Sequence, residues 1–296
     1  MAARILAIGN ATLDIIHTVA SYPCENDEVR CNERIVRRGG NAANTLEVLG
    51  QLGHVCSWAG VLADTADGHF LRGKLEVCGI DTATCRMADS GGAPVSTIIL
   101  NESTGSRTIV HHRDLPEFTC TDFMSIELQD FDWLHFEGRN IDELRHMLQW
   151  CRENRPSIPC SLEVEKPRPG MKRLFALAGV LLFSRDYARH YGYESPEKLL
   201  RAVHNRYPDA DLFCTWGERG AAALNRQGQE FHQTAMIPDR VIDTLGAGDT
   251  FNAAIIHGCL GGLETGVLLE QACRLAGRKC AQTGFTGLSD EDLFAP

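Results

Sequence analysis

The sequence lacks the features that mark membrane-spanning, secreted and nucleic-acid-binding proteins. None of its apolar runs approaches the roughly 18 residues that a spanning helix needs. The first residues, MAARILAIGNATLDII, hold one arginine and a short apolar run that Gly9 and Asn10 interrupt, which predicts no signal peptide. Long basic runs are absent and the net charge is −10. This charge argues against nucleic acid or an anionic membrane as the main partner, although it does not exclude a local positive pocket.

The twelve cysteines form no C-x-x-C pair and are scattered singly, many within apolar segments. We interpret most of them as reduced, buried small hydrophobic residues of a cytoplasmic protein. A zinc site would need closer spacing of its ligands. The adjacent residues His111 and His112 would point to opposite faces of a strand, so we expect no shared metal ion there.

The composition is that of an ordinary globular protein, with 296 residues, 44% hydrophobic and 23% charged. A compact chain of this length buries roughly 75% of its unfolded surface, so its core needs no disulfide or metal. The length suits one large domain, with or without a smaller attachment. Neither a repeat of fixed period nor a low-complexity segment interrupts the sequence.

Strand-like and helix-like segments alternate along most of the chain. The strand-like run RILAIG precedes the helix-like NAANTLEVLGQLG, and the strand-like HVCSWAGVL precedes the helix-like DTADGHFLRGKLEVCGI. The alternation returns from FDWLHFEG to LFCTWGERGAAAL, and the C-terminal third is helical. This pattern predicts an α/β fold with a mostly parallel sheet covered by helices on both faces.

Two segments break the alternation and are typical of antiparallel strands without a covering helix. They are residues 13–36 and residues 93–114, and the second holds VSTIIL, a turn at NESTGS and RTIVHH. We predict that they form a small lid or interface sheet, while residues 1–12, 37–92 and 115–296 form the α/β domain. Two copies of this lid are predicted to pair as a homodimer.

The run VIDTLGAGDTF, Val241 to Phe251, places a glycine-rich turn before an apolar, helix-like segment. The backbone N–H groups of such a turn and the positive end of the helix dipole make an anion site. A phosphate there would repel Asp249, so this aspartate is better suited to accept a proton from a hydroxyl. That arrangement serves phosphoryl transfer from a nucleotide to an alcohol. An ordinary helix N-terminus, where aspartate is electrostatically favourable, is the alternative.

Two motifs resemble a known family. DTLGAGDTF and the earlier RRGGNAANTLEVLGQLG resemble the two signatures of the ribokinase-like (PfkB) carbohydrate kinases, and the resemblance covers nearly the whole chain. It implies a three-layer sandwich with a mostly parallel central sheet, a small β-sheet lid and a kinase that uses MgATP. The stretches GSRTI, EGRN, EVEKPR, VIDTLGAGDTFNA and AGRKC resemble the members that phosphorylate ketohexoses. They imply D-fructose as the sugar, phosphorylated at its 1-hydroxyl.

The resemblance implies roles for particular residues. Asp249 would be the base that deprotonates the attacking sugar hydroxyl. The anion hole would be the backbone of Gly246, Ala247 and Gly248. The sugar hydroxyls would be held by Asp14, Gly40, Asn41, Asn44 and Asp249. Carboxylates and amides suit this work because each pairs with several hydroxyls. Without the resemblance, Asn41 and Asn44 would be interpreted as a helix cap and a solvent-facing residue.

The resemblance also implies a set of residues that bind the nucleotide. Arg107, on the second strand of the lid hairpin, would reach the transferring phosphate, unless it is a plain surface arginine. The nucleotide would be bound by Arg185, Thr215, Gly217, Gly220, Gly246, Gly248, Cys273, Ala276, Gly277 and Cys280. A strand-ending turn is the alternative for TWGERGA, and core packing along one helical face is the alternative for the last four residues.

The residues that would organise the metal ions match the family less well. Phosphoryl transfer needs Mg²⁺ bridging the phosphates, with few protein ligands. Many members of the family carry an Asn-x-x-Glu motif that organises this ion through water, but Ser184 and Tyr187 stand at the matching positions here. Glu163 and Glu165 are predicted as outer-shell partners of Mg²⁺ instead. A K⁺ site beside Asp243 is implied by the resemblance alone.

Other functions stay open at this stage. The same chemistry would serve ribose, tagatose, a nucleoside such as adenosine or a sugar phosphate. A sugar phosphate would need cationic residues in the sugar pocket, and Asp14, Asn41 and Asn44 supply none. A catalytically silent sugar-binding protein is the alternative from another class, against which the intact Asp249 and its glycine turn argue. Structural roles have no support in the sequence.

Overall fold

The computed structural model describes residues 2–289, which form fifteen strands and eight α-helices. The strands are β1 (Arg4–Ile8), β2 (Thr12–Val19), β3 (Glu33–Gly39), β4 (Val55–Ala59), β5 (Val61–Ala63), β6 (Ile80–Asp81), β7 (Arg86–Ala88), β8 (Val95–Asn101), β9 (Arg107–His112), β10 (Trp133–Glu137), β11 (Cys160–Val164), β12 (Val180–Phe183), β13 (Asp211–Thr215), β14 (Ala221–Leu224) and β15 (Glu230–Gln233). The helices are α1 (Asn41–Gln51), α2 (Ala66–Val77), α3 (Cys120–Met124), α4 (Ile141–Asn154), α5 (Arg185–His190), α6 (Pro196–His204), α7 (Ala247–Leu260) and α8 (Thr265–Cys280). Short 3₁₀ turns cover Leu128–Asp130, Met171–Arg173 and Gly217–Arg219.

The central sheet has nine strands in the order β15-β14-β13-β12-β11-β10-β1-β4-β6. The strands from β13 to β6 pair in parallel, and β14 and β15 add two antiparallel pairings at one edge. Successive residues of β1, such as Leu6 and Ala7, are fully buried on opposite faces. A strand covered on both faces needs a continuous apolar run, which β1 has. The predicted, mostly parallel sheet is therefore confirmed.

Helices cover both faces of the central sheet and complete three layers. Leu6 and Ile8 share one buried cluster with residues of α3, α4, α5 and α6. Ile5 and Ala7 share the other cluster with residues of α1, α2, α7 and α8. The three-layer α/β sandwich expected from the sequence is therefore confirmed. α1 and α7 pack together on the second face, so the two sequence motifs become neighbours.

The small sheet has four strands in the order β3-β2-β8-β9. Each predicted hairpin is antiparallel internally, as β2–β3 and β8–β9 show. The expectation of antiparallel pairing throughout is wrong at the centre, because β2 and β8 run in parallel. The chain leaves the first hairpin for the α/β layers and enters the second one from the same end, so the two hairpins join side by side. The predicted domain boundaries stay a prediction.

The predicted single strand HVCSWAGVL is also wrong, since it divides at Gly60 into β4 and β5. β4 stays in the central sheet, while β5 pairs with β7 in a separate two-stranded sheet. A Cβ atom at Gly60 would lie 2.4 Å from the carbonyl oxygen of Gly9. The absence of a side chain there allows the chain to cross closely over the end of β1.

The cysteines are more exposed than the sequence suggests. All twelve are free thiols, of which five are buried, while Cys24 and Cys31 are exposed. Both exposed thiols lie on the segment between β2 and β3, which no helix covers. Within residues 2–289, no helix is both long and apolar enough to cross a bilayer. The same residues contain no group of three or more histidine, cysteine, aspartate or glutamate side chains arranged to hold a metal ion.

Candidate active site

A cavity of about 830 Å³ lies where the parallel strands of the central sheet end. Its floor includes Glu137 at the end of β10 and Ser184 after β12, and its roof includes Ser96 and Arg107 of the small sheet. The carboxyl ends of the strands are where ligands bind in open α/β sheets. The small sheet therefore stands over a candidate active site.

The structure brings most of the predicted sugar and phosphate residues to this cavity. The predicted residues that line it are Asp14, Gly40, Asn41, Asn44, Arg107, Glu163, Glu165, Thr215, Gly246, Gly248 and Asp249. The predicted residues outside its lining are Arg185, Gly217, Gly220, Asp243, Ala247, Cys273, Ala276, Gly277 and Cys280. The four predicted nucleotide residues of α8 therefore do not line the cavity that the predicted sugar residues share.

The glycine-rich turn forms the N-terminus of α7, as expected. Gly246 precedes the helix with φ +80°, and a Cβ atom there would lie 2.4 Å from the Phe285 ring. The first-turn N–H groups of a helix have no intrahelical partner, so Gly248 and Asp249 present theirs as anion donors. Ala247 differs from the prediction, because its N–H donates to the Thr244 carbonyl over 3.3 Å.

Asp249 is buried in the first turn of α7, with 6% of its surface exposed. Its Oδ2 accepts a 2.7 Å hydrogen bond from Asn44 Nδ2. Burial raises the pKa of Asp249 from 3.8 to about 8, and the charges of Glu165 and Glu137 act in the same direction, while the Asn44 hydrogen bond opposes them. A carboxylate with a pKa near the working pH is suited to take a proton from a substrate hydroxyl.

The end of the cavity that is predicted to hold the sugar depends on two adjacent glycines before α1. Gly40 has φ +113°, and a Cβ atom there would lie 2.0 Å from the Asn10 carbonyl oxygen. A Cβ atom at Gly39 would lie 2.2 Å from Asp14 Oδ2. The Gly-Gly pair therefore leaves room for the Asp14 carboxylate beside Asn41, where they were predicted to hold a sugar.

Asn41 faces two carboxylates, of which Glu163 is buried and Glu165 is partly exposed. Its Nδ2 donates to Glu163 Oε1 at 3.2 Å and to Glu165 Oε2 at 3.1 Å. Asn252 of α7 also donates to Glu163 Oε1, at 3.1 Å. Burial raises the pKa of Glu163 well above its usual range, and the charges of Asp249 and Glu165 add to this effect. The surroundings of Glu163 therefore favour its protonated form until a cation or another positive group approaches it.

These carboxylates fit the outer-shell role predicted for Mg²⁺. Glu163 Oε2 is buried and has no hydrogen-bond partner among residues 2–289, so it can accept from the water shell of a cation. Ser184 and Tyr187, which stand in place of the Asn-x-x-Glu motif, have structural roles instead. Ser184 Oγ accepts the Tyr187 N–H over 3.0 Å as the cap of α5, and the Tyr187 side chain is buried in the core.

The K⁺ site predicted beside Asp243 does not fit this structure. Lys279 is fully buried, and its Nζ lies 3.0 Å from the Asp243 carbonyl oxygen and 3.2 Å from Asp243 Oδ2. Arg37 lies 3.3 Å from the same Oδ2. Although burial opposes it, the Leu245 N–H and the Lys279 charge hold the pKa of Asp243 below its usual range. The oxygens that a K⁺ ion would use are already paired with an ammonium group.

Two of the predicted nucleotide residues, Gly220 and Gly277, lie against one segment, residues 233–236. A Cβ atom at Gly220 would lie 2.0 Å from the Gln233 carbonyl oxygen, and one at Gly277 would lie 2.2 Å from the Met236 carbonyl oxygen. Arg185 lies over the same turn and forms a 3.1 Å ion pair with Glu218. The TWGERGA turn and α8 therefore share a neighbour, and their role in nucleotide binding stays a prediction.

Sequence reasoning missed several residues that line the cavity. Glu137 is buried, and its Oε2 accepts the Asn10 N–H at 3.0 Å, which fixes the loop beside α1. Arg38 is also buried and hydrogen-bonded to Asn44. Glu137 was within reach of a sequence argument, because it ends the strand-like FDWLHFEG and begins the EGRN stretch. Arg38 carried no such signal, since arginine in a strand is more often exposed.

Comparisons with known proteins cover nearly the whole chain. A family model described as "pfkB family carbohydrate kinase" matches residues 2–291. The chain is 39% identical to Ketohexokinase of Mus musculus over 293 residues, which are 96% of this chain and 98% of the relative. It is 25% identical to Ribokinase of Bacillus subtilis over 280 residues, 93% of this chain and 90% of the relative.

Solved structures match the fold. A putative ribokinase from Agrobacterium tumefaciens superposes with a TM-score of 0.87 at 24% identity, covering 99% of this chain and 96% of that one. Arabidopsis thaliana ribokinase, complexed with ribose and ATP, superposes with a TM-score of 0.80 at 20% identity, covering 96% and 94% of the two chains. These likenesses extend over the small sheet as well as the three layers.

Proposed function

Because this chain belongs to the pfkB family of carbohydrate kinases, we propose that it transfers the γ-phosphoryl group of ATP to the 1-hydroxyl of D-fructose. The family expected from the two motifs is confirmed, and so is the resemblance to ketohexose-phosphorylating members. The choice of sugar and hydroxyl is the proposal. It is supported by the 39% identity with Ketohexokinase of Mus musculus, against 25% with Ribokinase of Bacillus subtilis.

One observation carries the mechanism: Asp249 is buried at the N-terminus of α7, inside the cavity and hydrogen-bonded to Asn44. The sugar hydroxyl gives its proton to Asp249 while its oxygen bonds to the γ-phosphorus. The bond from that phosphorus to the β–γ bridging oxygen breaks, and ADP leaves with the electron pair. N–H groups of Gly248 and Asp249 stabilise the negative charge on the transferred group. Mg²⁺, when bound with the nucleotide, neutralises charge on the phosphates.

The sequence argument that the sugar pocket holds no cations is incomplete. The cavity is lined by seven cationic side chains: Arg37, Arg38, Lys74, Arg107, Arg139, Lys166 and Arg168. Four of them are paired with carboxylates: Arg37 with Asp243, Arg38 with Glu47, Arg139 with Glu137 and Lys166 with Glu165. The choice of an unphosphorylated ketohexose therefore rests on the identity with Ketohexokinase of Mus musculus and not on the charge of the cavity.

We expect NMR spectroscopy of the product made from D-fructose and MgATP to show phosphate on carbon 1. The physical reason is that the attacking oxygen must lie beside Asp249 while the other hydroxyls face Asp14 and Asn41. Phosphate on carbon 6, with fructose otherwise a good substrate, would keep the kinase and overturn the proposed orientation. Absence of any product from fructose would overturn the proposed sugar.

The small sheet is also proposed to join two copies of the chain. All six residues of its edge strand β9 are exposed, including Ile109 at 48% and Val110 at 65%. An uncovered apolar edge strand is a ready pairing surface. We therefore propose that residues 13–36 and 93–114, the predicted lid, form the dimer interface.

We expect light scattering to give the mass of a dimer for the wild type at micromolar concentration. Val110→Lys is expected to shift the protein toward monomer, because a lysine would be buried at the pairing surface. Val267→Lys is the matched control, since Val267 is 47% exposed on α8, outside the small sheet. A monomeric wild type, or equal effects of both substitutions, would contradict pairing through the small sheet.

A further inference from the structure

We infer that Arg38 is a positioning residue for the proposed base, because it fixes the orientation of the Asn44 amide that Asp249 meets. The inference rests on the proposed function of Asp249. Arg38 lies at the end of β3, and its side chain is only 4% exposed. One arm of its guanidinium, NH1, donates to Asn44 Oδ1 at 2.9 Å. The other arm, NH2, pairs with the Glu47 carboxylate.

The Asn44 amide can present two different ends to Asp249. Its oxygen accepts hydrogen bonds and its nitrogen donates them, while the two ends have nearly the same shape. A guanidinium can only donate, so Arg38 requires the oxygen on its side. The nitrogen is then left facing Asp249 Oδ2, at 2.7 Å. The reversed amide would set donor against donor at Arg38 and acceptor against acceptor at Asp249.

This orientation matters because it decides whether Asp249 is available as a base. A donor directed at a carboxylate favours the ionised form. The Asn44 hydrogen bond and the Arg38 charge both lower the pKa of Asp249, against the larger upward effect of burial. Without Arg38, the amide is free to turn, and Asp249 would keep its proton to a higher pH.

The other charged groups that face Asp249 act in the opposite sense. They are carboxylates near the ends of two strands: Glu137 is the last residue of β10, Glu163 lies in β11 and Glu165 follows β11. Arg38 is the cation in this group. Its removal therefore leaves a buried aspartate among carboxylates, which would raise the pH at which the aspartate ionises.

The test is the pH profile of kcat/KM for D-fructose in the wild type, Arg38→Met and Arg38→Lys. In Arg38→Met, we expect the midpoint of the acid limb to move upward by about one pH unit, because an opposite charge near a carboxylate has an effect of at least that size. Activity is expected to recover at high pH, where Asp249 is ionised in both proteins. A purely structural role would instead lower activity equally at every pH.

Arg38→Lys separates orientation from charge and serves as the test if the Met variant does not fold. One ammonium group cannot hold Glu47 and Asn44 as the two-armed guanidinium does, so it is expected to pair with Glu47 and release Asn44. We expect a smaller upward movement of the acid limb. An unmoved limb in the Lys variant would overturn the positioning role and leave only an effect of charge.

Arg34→Met is the matched control. Arg34 lies four residues earlier on the same face of β3, is exposed, and carries the same charge. Its removal is expected to leave the acid limb in place. Asp249→Asn separates this inference from the proposed function: if that variant keeps wild-type turnover, Asp249 is not the base and the proposed mechanism fails. If it loses turnover while Arg38→Met leaves the limb unmoved, only the role of Arg38 is overturned.

Discussion

Asp249→Asn is expected to lower kcat by about 10³-fold while the KM for D-fructose changes little. The amide has the shape of the carboxylate but cannot accept the proton of the attacking hydroxyl, and general bases contribute roughly 10²–10⁴-fold to such steps. Asn44 Nδ2 still finds an oxygen at the substituted side chain, so the sugar end of the cavity keeps its arrangement. The measurement is steady-state ADP release with saturating MgATP.

The stability of the same variant provides the control for folding. The folded protein holds the Asp249 proton more tightly than the unfolded chain, since burial raises the pKa from 3.8 to about 8. The wild type therefore has its full stability from this group below about pH 3.8 and loses it as the pH rises toward 8. An asparagine does not titrate, so we expect Asp249→Asn to melt a few degrees higher at pH 8, about 2–4 °C for each kcal/mol. A variant that is inactive and also less stable at pH 8 would contradict this explanation.

Gly40→Ala is expected to cause the second large loss, through the backbone. Its Cβ atom would lie 2.0 Å from the Asn10 carbonyl oxygen, at φ +113°. Relief of that contact requires the start of α1 to move away from Asn10, and Asn41 and Asn44 move with it. We expect the KM for D-fructose to rise at least tenfold and the free energy of unfolding to fall by about 1–3 kcal/mol. Steady-state kinetics and denaturant unfolding would measure the two effects.

Gly50→Ala is the matched control, because Gly50 lies in the last turn of the same helix. The nearest atom to its added Cβ would be the Cys78 carbonyl oxygen, 3.9 Å away. Alanine favours a helix over glycine by up to about 1 kcal/mol, so this variant should be at least as stable as the wild type and bind fructose normally. Similar losses in both variants would show that α1 tolerates no added methyl group, and the argument from Gly40 would fail.

The sequence was most informative where one local rule decides the structure. Buried parallel strands need apolar runs, and so β1 and β10 were predictable. Asp249 was predictable because a glycine-rich turn before a helix is an anion site whatever surrounds it. The family resemblance added Asp14 and Asn41, whose residue types alone fit several roles.

Contacts between distant parts of the chain were beyond that reasoning. Glu137 meets Asn10 across 127 positions, and Lys279 meets the Asp243 carbonyl across 36. Such pairs depend on the order of strands and on the packing of α7 and α8, which no single segment encodes. The parallel pairing of β2 with β8 was missed for the same reason: it depends on how two hairpins dock after the chain has passed through the α/β layers.

The most direct test of a ketohexose kinase is kcat/KM for ADP release with MgATP on D-fructose, tagatose, ribose, adenosine and fructose 1-phosphate. The assay buffer should contain both Mg²⁺ and K⁺, so that a missing ion does not lower the turnover of any substrate. The highest value is expected for D-fructose, and a much lower one for fructose 1-phosphate, because its 1-hydroxyl, the proposed acceptor, already carries a phosphate. A higher value for ribose or adenosine than for D-fructose would contradict the proposed substrate, and no turnover on any of the five would contradict the proposed reaction.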